Sequence, residues 1–383
     1  MIPYGRQSIS EDDIAAVEAV LRSDFLTQGP AVPAFEQSVT SYCGAGHAVA
    51  VNSATAALHI ACLALGVGPG DLVWTSPISF VASANCALYC GAEVDFVDID
   101  PATYNIGVER LAEMLVAAER SGRLPKVVIP VHLAGQSCDM AAIHVLAQRY
   151  GFKVIEDASH AVGARYKDDP VGSCRYSDVA VFSFHPVKIV TTGEGGIALT
   201  NDAELADRMR LLRTHGVTRD EAVMEGESRG PWYYEQLELG FNYRITDIQA
   251  ALGTSQMTRV DDFVERRRAI AARYDEELAN QPLTSPWQNP DTRSSYHLYI
   301  IRLHKGRSHR EAFDELRRRG IGVNLHYIPI YLQPYYRRLG FEPGHCPEAE
   351  RYHASAISIP LYSAMSDADE QAVVDAVKAV AGA

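Results

Sequence analysis

Short apolar runs alternate with amphipathic stretches over the first half of the chain. Ser10-Glu-Asp-Asp13 has the spacing of a capping box and predicts a helix to about Leu21. Strands are predicted at Ala48–Val51, Leu72–Thr75, Val94–Val97, Lys126–Val131, Lys153–Glu156, Val179–Ser183 and Gly196–Thr200. Helical patterns fall between them, from about Thr55 to Leu65, after Ser79, near Gly107–Arg120 and over Met140–Tyr150. This alternation predicts an α/β fold with a mostly parallel, twisted sheet covered on both faces.

After about Gln249 the pattern changes. A helix over Arg259–Leu278 leads into a proline-containing loop, Gln281 to Pro290. A strand at Tyr296–Ile301, a helix at His309–Arg319 and a second strand near Gly322–Leu325 follow. The expected division is an N-terminal arm and large α/β domain over 1–250 and a smaller α+β domain over 251–383.

A chain of 383 residues, 47% hydrophobic and 22% charged, is globular. Its formal net charge of −13 argues against nucleic acid as a main partner. It does not argue against a small anionic ligand, because a local field can oppose the net charge. The N-terminus has no apolar signal core, and no run approaches the ~18 apolar residues of a membrane span, so no membrane partner is expected. Seven scattered cysteines without a Cys-x-x-Cys pair point to reduced thiols in a cytoplasmic protein. The histidines show no metal-binding spacing, and no metal is expected.

Ligands of such sheets bind where strands end. Four polar segments fall at predicted strand ends: Asn52-Ser-Ala-Thr55, Pro77-Ile-Ser-Phe80, Asp157 and Ser183. Just beyond the last lies Ser183-Phe-His-Pro-Val-Lys188-Ile-Val-Thr-Thr-Gly-Glu-Gly-Gly196, one lysine before a glycine-rich turn. A lysine in such a loop with an aspartate at a strand end is what pyridoxal phosphate (PLP) chemistry requires. The amine forms a Schiff base with the cofactor aldehyde, and the carboxylate keeps the ring nitrogen protonated. Taken singly, each residue has a plainer reading: Lys188 a surface group, Asp157 a helix cap, Ser53 and Thr55 an N-cap, Phe80 and Tyr4 core.

Together these motifs resemble the fold-type I PLP enzymes, and more narrowly the DegT-type sugar-nucleotide aminotransferases, over nearly the whole chain. The resemblance implies a large PLP-binding domain of mostly parallel sheet with a smaller α+β C-terminal domain. It implies that Lys188 and Asp157 are catalytic, and that the backbone of Ala54, Thr55 and Ala56, with Ser183, binds the PLP phosphate. Phe80 would stack on the ring, and His160 would hold Asp157 or the cofactor hydroxyl. Gly240-Phe-Asn242-Tyr-Arg244 is similar to a segment whose asparagine reaches the cofactor phosphate of a neighbouring subunit. That similarity implies a homodimer with shared sites. Tyr4, Thr27, Gly29, His326 and Tyr327 would form substrate wall.

The implied activity is amination of a nucleotide-linked keto-sugar with glutamate as donor. The wording of Asp24–Pro30 and Thr191–Gly196 is most similar to the pseudaminic-acid branch, whose members aminate C4 of a UDP-linked 4-keto-6-deoxy-N-acetylhexosamine. Gly5-Arg6 and the Arg219–Trp232 stretch depart from that pattern. A C3 or C4 aminotransferase for a dTDP- or GDP-linked sugar is the main alternative. A PLP-dependent sugar dehydratase is a weaker one, since Lys188 stands where dehydratases carry histidine. A non-catalytic PLP-binding regulator is weaker still.

Overall fold

The computed structural model describes residues 1–304 and 308–382. Seven strands form the main sheet: β1 (His47–Val51), β2 (Leu72–Thr75), β3 (Glu93–Phe96), β4 (Val127–Ile129), β5 (Lys153–Asp157), β6 (Val179–Ser183) and β7 (Gly196–Thr200). Their spatial order is β1-β7-β6-β5-β4-β2-β3. Strands β6, β5, β4, β2 and β3 pair in parallel. β7 runs against both neighbours, β6 and β1, so the sheet is mixed at that end. β6 and β7 are buried at every position, as strands covered on both faces must be.

Helices α1 (Glu11–Leu21), α2 (Ala31–Cys43), α3 (Ala54–Ala64), α4 (Ala82–Tyr89), α5 (Val108–Ser121), α6 (Met140–Tyr150), α7 (Ala203–Arg213), α8 (Asp247–Met257) and α9 (Val260–Leu278) belong with this sheet or follow it in the chain. Helix α3 packs its apolar residues Ala57, Ile60, Ala61 and Ala64 into the core. Helix α5 shows the opposite pattern, a narrow buried stripe of Leu111, Leu115 and Ala118 beneath a charged face. Among the described residues no helix is long and apolar enough to cross a membrane.

Beyond α9 a second, antiparallel sheet contains β8 (Leu283–Thr284), β9 (Tyr299–Leu303) and β10 (Ala356–Ile359), in the order β8-β9-β10. Helices α10 (His309–Arg318) and α11 (Asp367–Gly382) pack together beside it. The strand expected at Gly322–Leu325 does not form. That segment makes one isolated bridge, Asn324 to Ser358, and the residue before it, Ile321, bridges to Ile2. The place beside β9 is taken by Ala356–Ile359, whose four residues are all buried. Gly322 instead lies against the N-terminal arm, where an added Cβ would meet Ile2 O at 2.7 Å.

The predicted capping box is present. Ser10 Oγ accepts the Asp13 N–H, and an Asp13 side-chain oxygen accepts the Ser10 N–H. Asp13 is also fully buried and joins α1 to α8: it accepts from Ser255 Oγ (2.6 Å), Gln256 Nε2 (2.6 Å) and Arg259 Nη2 (2.5 Å). Burial alone would push this carboxyl up. The bonds from Ser255, the Ser10 backbone and Gln256, with the Arg259 charge, outweigh it and hold the pKa below its ordinary value. Asp13→Asn is therefore expected to cost about 2–3 kcal/mol, less than a fully buried pair because Arg259 is partly exposed. Urea unfolding at neutral pH measures it. A lowered carboxyl pKa stabilises above the unfolded value, so the gap between parent and variant should close as pH falls below about 3.9.

Candidate active site

The antiparallel turn of β7 brings the separate motifs to one place. Gly196, its first residue, pairs with Val51 at the end of β1 and with Ser183 at the end of β6. Asp157 ends β5, the next strand. These strand ends floor a cleft of about 940 Å³. Its lining includes Ala54, Thr55, Phe80, Asp157, His160, Ser183 and Lys188, together with Tyr4, His326 and Tyr327. Ten of the fourteen residues singled out from the sequence converge here.

Lys188 sits in the turn between β6 and β7, its backbone N–H bonded to His185 O (2.9 Å). The loop is held to the strand end by Thr191, whose hydroxyl donates to Phe184 O (3.0 Å), and by Thr192 N–H on the same carbonyl (3.0 Å). The amine is partly open to the cleft yet crowded by protein. Desolvation lowers its pKa to about 8, although the Asp157 charge pulls the other way. A substantial fraction of the amine is therefore neutral near physiological pH, as a nucleophile or proton acceptor requires.

Asp157 is buried. Oδ2 accepts from Ser83 Oγ (2.5 Å), which also bonds Ser79 Oγ (2.6 Å), and Oδ1 accepts the Ser159 N–H (3.2 Å). The carboxylate orientation is fixed by α4 and by its own strand end. Ser83 escaped the sequence reading. Its signal was present in Ser79 and Ser83, spaced by one helical turn where α4 begins.

The first turn of α3 forms an anion cradle. Ser53 caps it, accepting the Ala56 N–H at 3.2 Å. Among the described residues, no protein acceptor takes the N–H groups of Ala54 and Thr55, which lie at the cleft with the positive end of the helix dipole. Gly196 packs directly beneath: a Cβ there would lie 2.4 Å from Ala54 N. Only glycine lets β7 pass this close. Ser183 supplies a hydroxyl beside the cradle.

The far wall is aromatic and histidine-rich. His160 Nδ1 accepts the Ala134 N–H (3.2 Å), and its Nε2 meets Tyr327 Oη (3.1 Å). Its ring lies between those of His297 (centroids 4.4 Å apart) and Tyr327 (6.1 Å). Burial, reinforced by the nearby Lys188 charge, pushes the His160 pKa well below its ordinary value and keeps the ring neutral. His326 Nδ1 bonds Ser358 Oγ (2.8 Å), and Tyr4 leans on its ring at 5.2 Å. Burial pushes His326 down to about 3. His297, also on the cleft wall, was not anticipated. Among the described residues its buried Nδ1 has no hydrogen-bond partner.

The donor set fits PLP. It offers N–H groups for a phosphate, an amine for an aldehyde, a buried carboxylate for a ring nitrogen and the exposed ring of Phe80 for stacking.

Four expected residues lie elsewhere. Ala56 spends its N–H on the Ser53 cap, and its side chain joins the core. Thr27 and Gly29 line a separate hollow of about 170 Å³ with Arg213 and Arg244. Asn242 is exposed outside the cleft of its own chain, where its carbonyl accepts from Asn52 Nδ2 (3.3 Å).

Comparison with known proteins agrees with this architecture. The chain is 40% identical to the spore coat polysaccharide biosynthesis protein SpsC of Bacillus subtilis, covering 98% of this chain and 96% of that protein. It is 38% identical to the UDP-4-amino-4,6-dideoxy-N-acetyl-beta-L-altrosamine transaminase of Campylobacter jejuni, at the same coverage. Helicobacter pylori PseC, an aminotransferase of pseudaminic acid biosynthesis, superposes with a TM-score of 0.91 at 31% identity, covering 100% of this chain and 99% of PseC. The sugar aminotransferase Spr1654 of Streptococcus pneumoniae, solved in a PMP form, gives 0.91 at 30% identity, covering 100% of this chain and 99% of that one. The DegT/DnrJ/EryC1/StrS aminotransferase family matches residues 7–378. The chain belongs to that family and is a PLP-dependent sugar aminotransferase.

Proposed function

We propose that the enzyme converts a nucleotide-linked 4-keto-6-deoxy sugar, a UDP-linked N-acetylhexosamine, to its 4-amino derivative with glutamate as amino donor. The observation that supports this most directly is the end-to-end similarity to the Campylobacter jejuni transaminase, named for that product. Similarity to SpsC, named only for spore coat polysaccharide biosynthesis, supports a role in polysaccharide building and specifies no sugar.

PLP, when bound, supplies a ring that accepts electron density from the carbon attached to the transferred nitrogen. In this reading Lys188 would hold the cofactor through its amine and would carry a proton to and from the reacting carbon. Its depressed pKa suits both tasks, because a permanently charged amine could do neither. Asp157, oriented by Ser83, keeps the ring nitrogen charged. Ala54 and Thr55 N–H groups with the Ser183 hydroxyl would hold the phosphate, and Phe80 would stack on the ring. Asn242 completes the phosphate site of a second subunit, which makes the working enzyme a homodimer. Its exposed position leaves it available for that contact.

Lys188→Ala is expected to lower transamination by at least about a hundredfold, since it removes the general base. It should also abolish borohydride labelling by PLP. Turnover close to the parent would remove Lys188 from the mechanism. Asp157→Asn should bind PLP and lose activity on a similar scale.

The rate at which apoenzyme captures PLP should follow the neutral fraction of Lys188. It should rise as pH approaches about 8 and level off above it, in stopped-flow absorbance traces. A rate independent of pH between 6 and 9 would contradict the assignment.

With glutamate as donor, turnover of UDP-linked 4-keto-6-deoxy-N-acetylhexosamine should exceed that of dTDP- and GDP-linked keto-sugars. NMR of the product should place nitrogen at C4. Preference for another nucleotide, or amination at C3, would overturn the substrate while leaving the reaction class intact.

A further inference from the structure

Phe241, Asn242 and Tyr243 form an extended segment fastened to their own subunit. Phe241 N–H donates to Leu212 O (2.7 Å), its carbonyl accepts the His215 N–H (2.8 Å), and Tyr243 N–H donates to Arg213 O (3.1 Å). Asn52, just beyond β1, donates its N–H to Tyr243 O (2.8 Å) and its side-chain amide to Asn242 O (3.3 Å). Side chains of an extended segment alternate between two faces. Phe241 and Tyr243 share the inward face, where their rings stack at 4.8 Å and 13° and pack on the core. Asn242, between them, is turned outward and exposed. Whatever fixes the two aromatic rings therefore fixes the direction in which Asn242 points.

One histidine fixes them. His59 is a buried residue of α3, the helix whose first turn carries the Ala54 and Thr55 N–H groups. Its ring lies 4.8 Å from that of Phe241 and 5.9 Å from that of Tyr243, and its Nδ1 is hydrogen-bonded to Tyr243 Oη at 3.1 Å. Tyr89, the last residue of α4, meets the same imidazole edge-on at 5.4 Å. The phenol can donate or accept, so the bond forms with either histidine tautomer. Neither His59 nor Tyr243 lines the cleft of its own chain. We propose that the His59–Tyr243 pair is a positioning device for Asn242, and that it serves the active site of the partner subunit and not its own. The proposal rests on the reading of Asn242 given above. Helix α3 then acts on two sites: its first turn faces the phosphate of its own subunit, and its middle aims Asn242 at the phosphate of the other. A loosened pair would let the segment turn about its backbone bonds and withdraw the amide from the neighbouring cleft.

The test uses full-length heterodimers purified by two different tags. One chain carries Lys188→Ala, so only the other can be labelled when bound PLP is fixed to Lys188 with borohydride. Titrating PLP and counting label on Lys188 gives the Kd of that one live site, without any sugar substrate. Tyr243→Phe, which keeps the ring and removes only the hydroxyl, is placed on either chain. On the Lys188→Ala chain it lies in the subunit that lends Asn242 to the live site, and Kd should rise about five- to tenfold, as for one lost hydrogen bond. On the live chain it should leave Kd unchanged. His59→Leu should follow the same pattern, and His59→Asn, whose amide falls near the Nδ1 position, should recover most of the loss. Asn242→Ala should also act only from the Lys188→Ala chain, and adding Tyr243→Phe to it should cost nothing more, because the pair works through that side chain. A Tyr243→Phe effect that appears on the live chain, or equally in both arrangements, would mean that the pair supports its own α3, and would overturn the inference. So would a silent Tyr243→Phe beside an effective Asn242→Ala. An Asn242→Ala without effect from either chain would instead remove the reading of Asn242 itself, and the inference with it.

Discussion

A lysine amine crowded by protein is costly as a cation, and the chemistry of this cleft depends on that cost. Desolvation lowers the Lys188 pKa to about 8, while Asp157 restrains the fall. A more open cleft would leave the amine a permanent cation. The same amine without a carboxylate nearby would lose its charge sooner. The balance is set by position, because Lys188 follows β6, an interior strand of the sheet, and Asp157 ends the adjoining strand. Ser83 and the Ser159 N–H then fix the carboxylate in place.

The second constraint is close approach. The antiparallel β7 lets one residue, Gly196, touch the ends of both β1 and β6. With no Cβ it brings the Lys188 turn against the first turn of α3, so the amine and the free N–H groups share a cleft. The N-terminal arm closes the assembly from the other side. Ile2 bridges to Ile321 and Tyr4 rests on His326, while the buried Asp13 cluster holds α1 against α8. Residues at the start of the chain and beyond residue 320 thereby build one wall.

Much of this was legible locally. The Ser10–Asp13 capping box, the strands at Leu72–Thr75, Val179–Ser183 and Gly196–Thr200, and the helix at Met140–Tyr150 were correct because each is specified by its own periodicity and caps. The error at Gly322–Leu325 has a physical source. A short apolar run can satisfy its backbone with isolated bridges, and nothing local distinguishes it from Ala356–Ile359, which wins the place beside β9 by complete burial. The direction of β7 was equally invisible, since strand polarity is decided by pairing and not by composition.

The residue types that carry the chemistry, Lys188 in a Gly/Thr turn, Asp157 at a strand end and a Ser/Thr-rich helix start, were determined by the sequence, because side-chain chemistry is local. Their convergence was inferred from the strand ends. The tertiary structure decided what no linear spacing contains: the partners of each group. It paired Asp157 with Ser83 across 74 positions and His160 with Tyr327 across 167. It placed Thr27 and Gly29 in a hollow apart from Lys188 and left Asn242 facing outward. Burial, tautomer and pKa arise from atoms brought together by folding, so they belong to the packed structure and not to the order of residues.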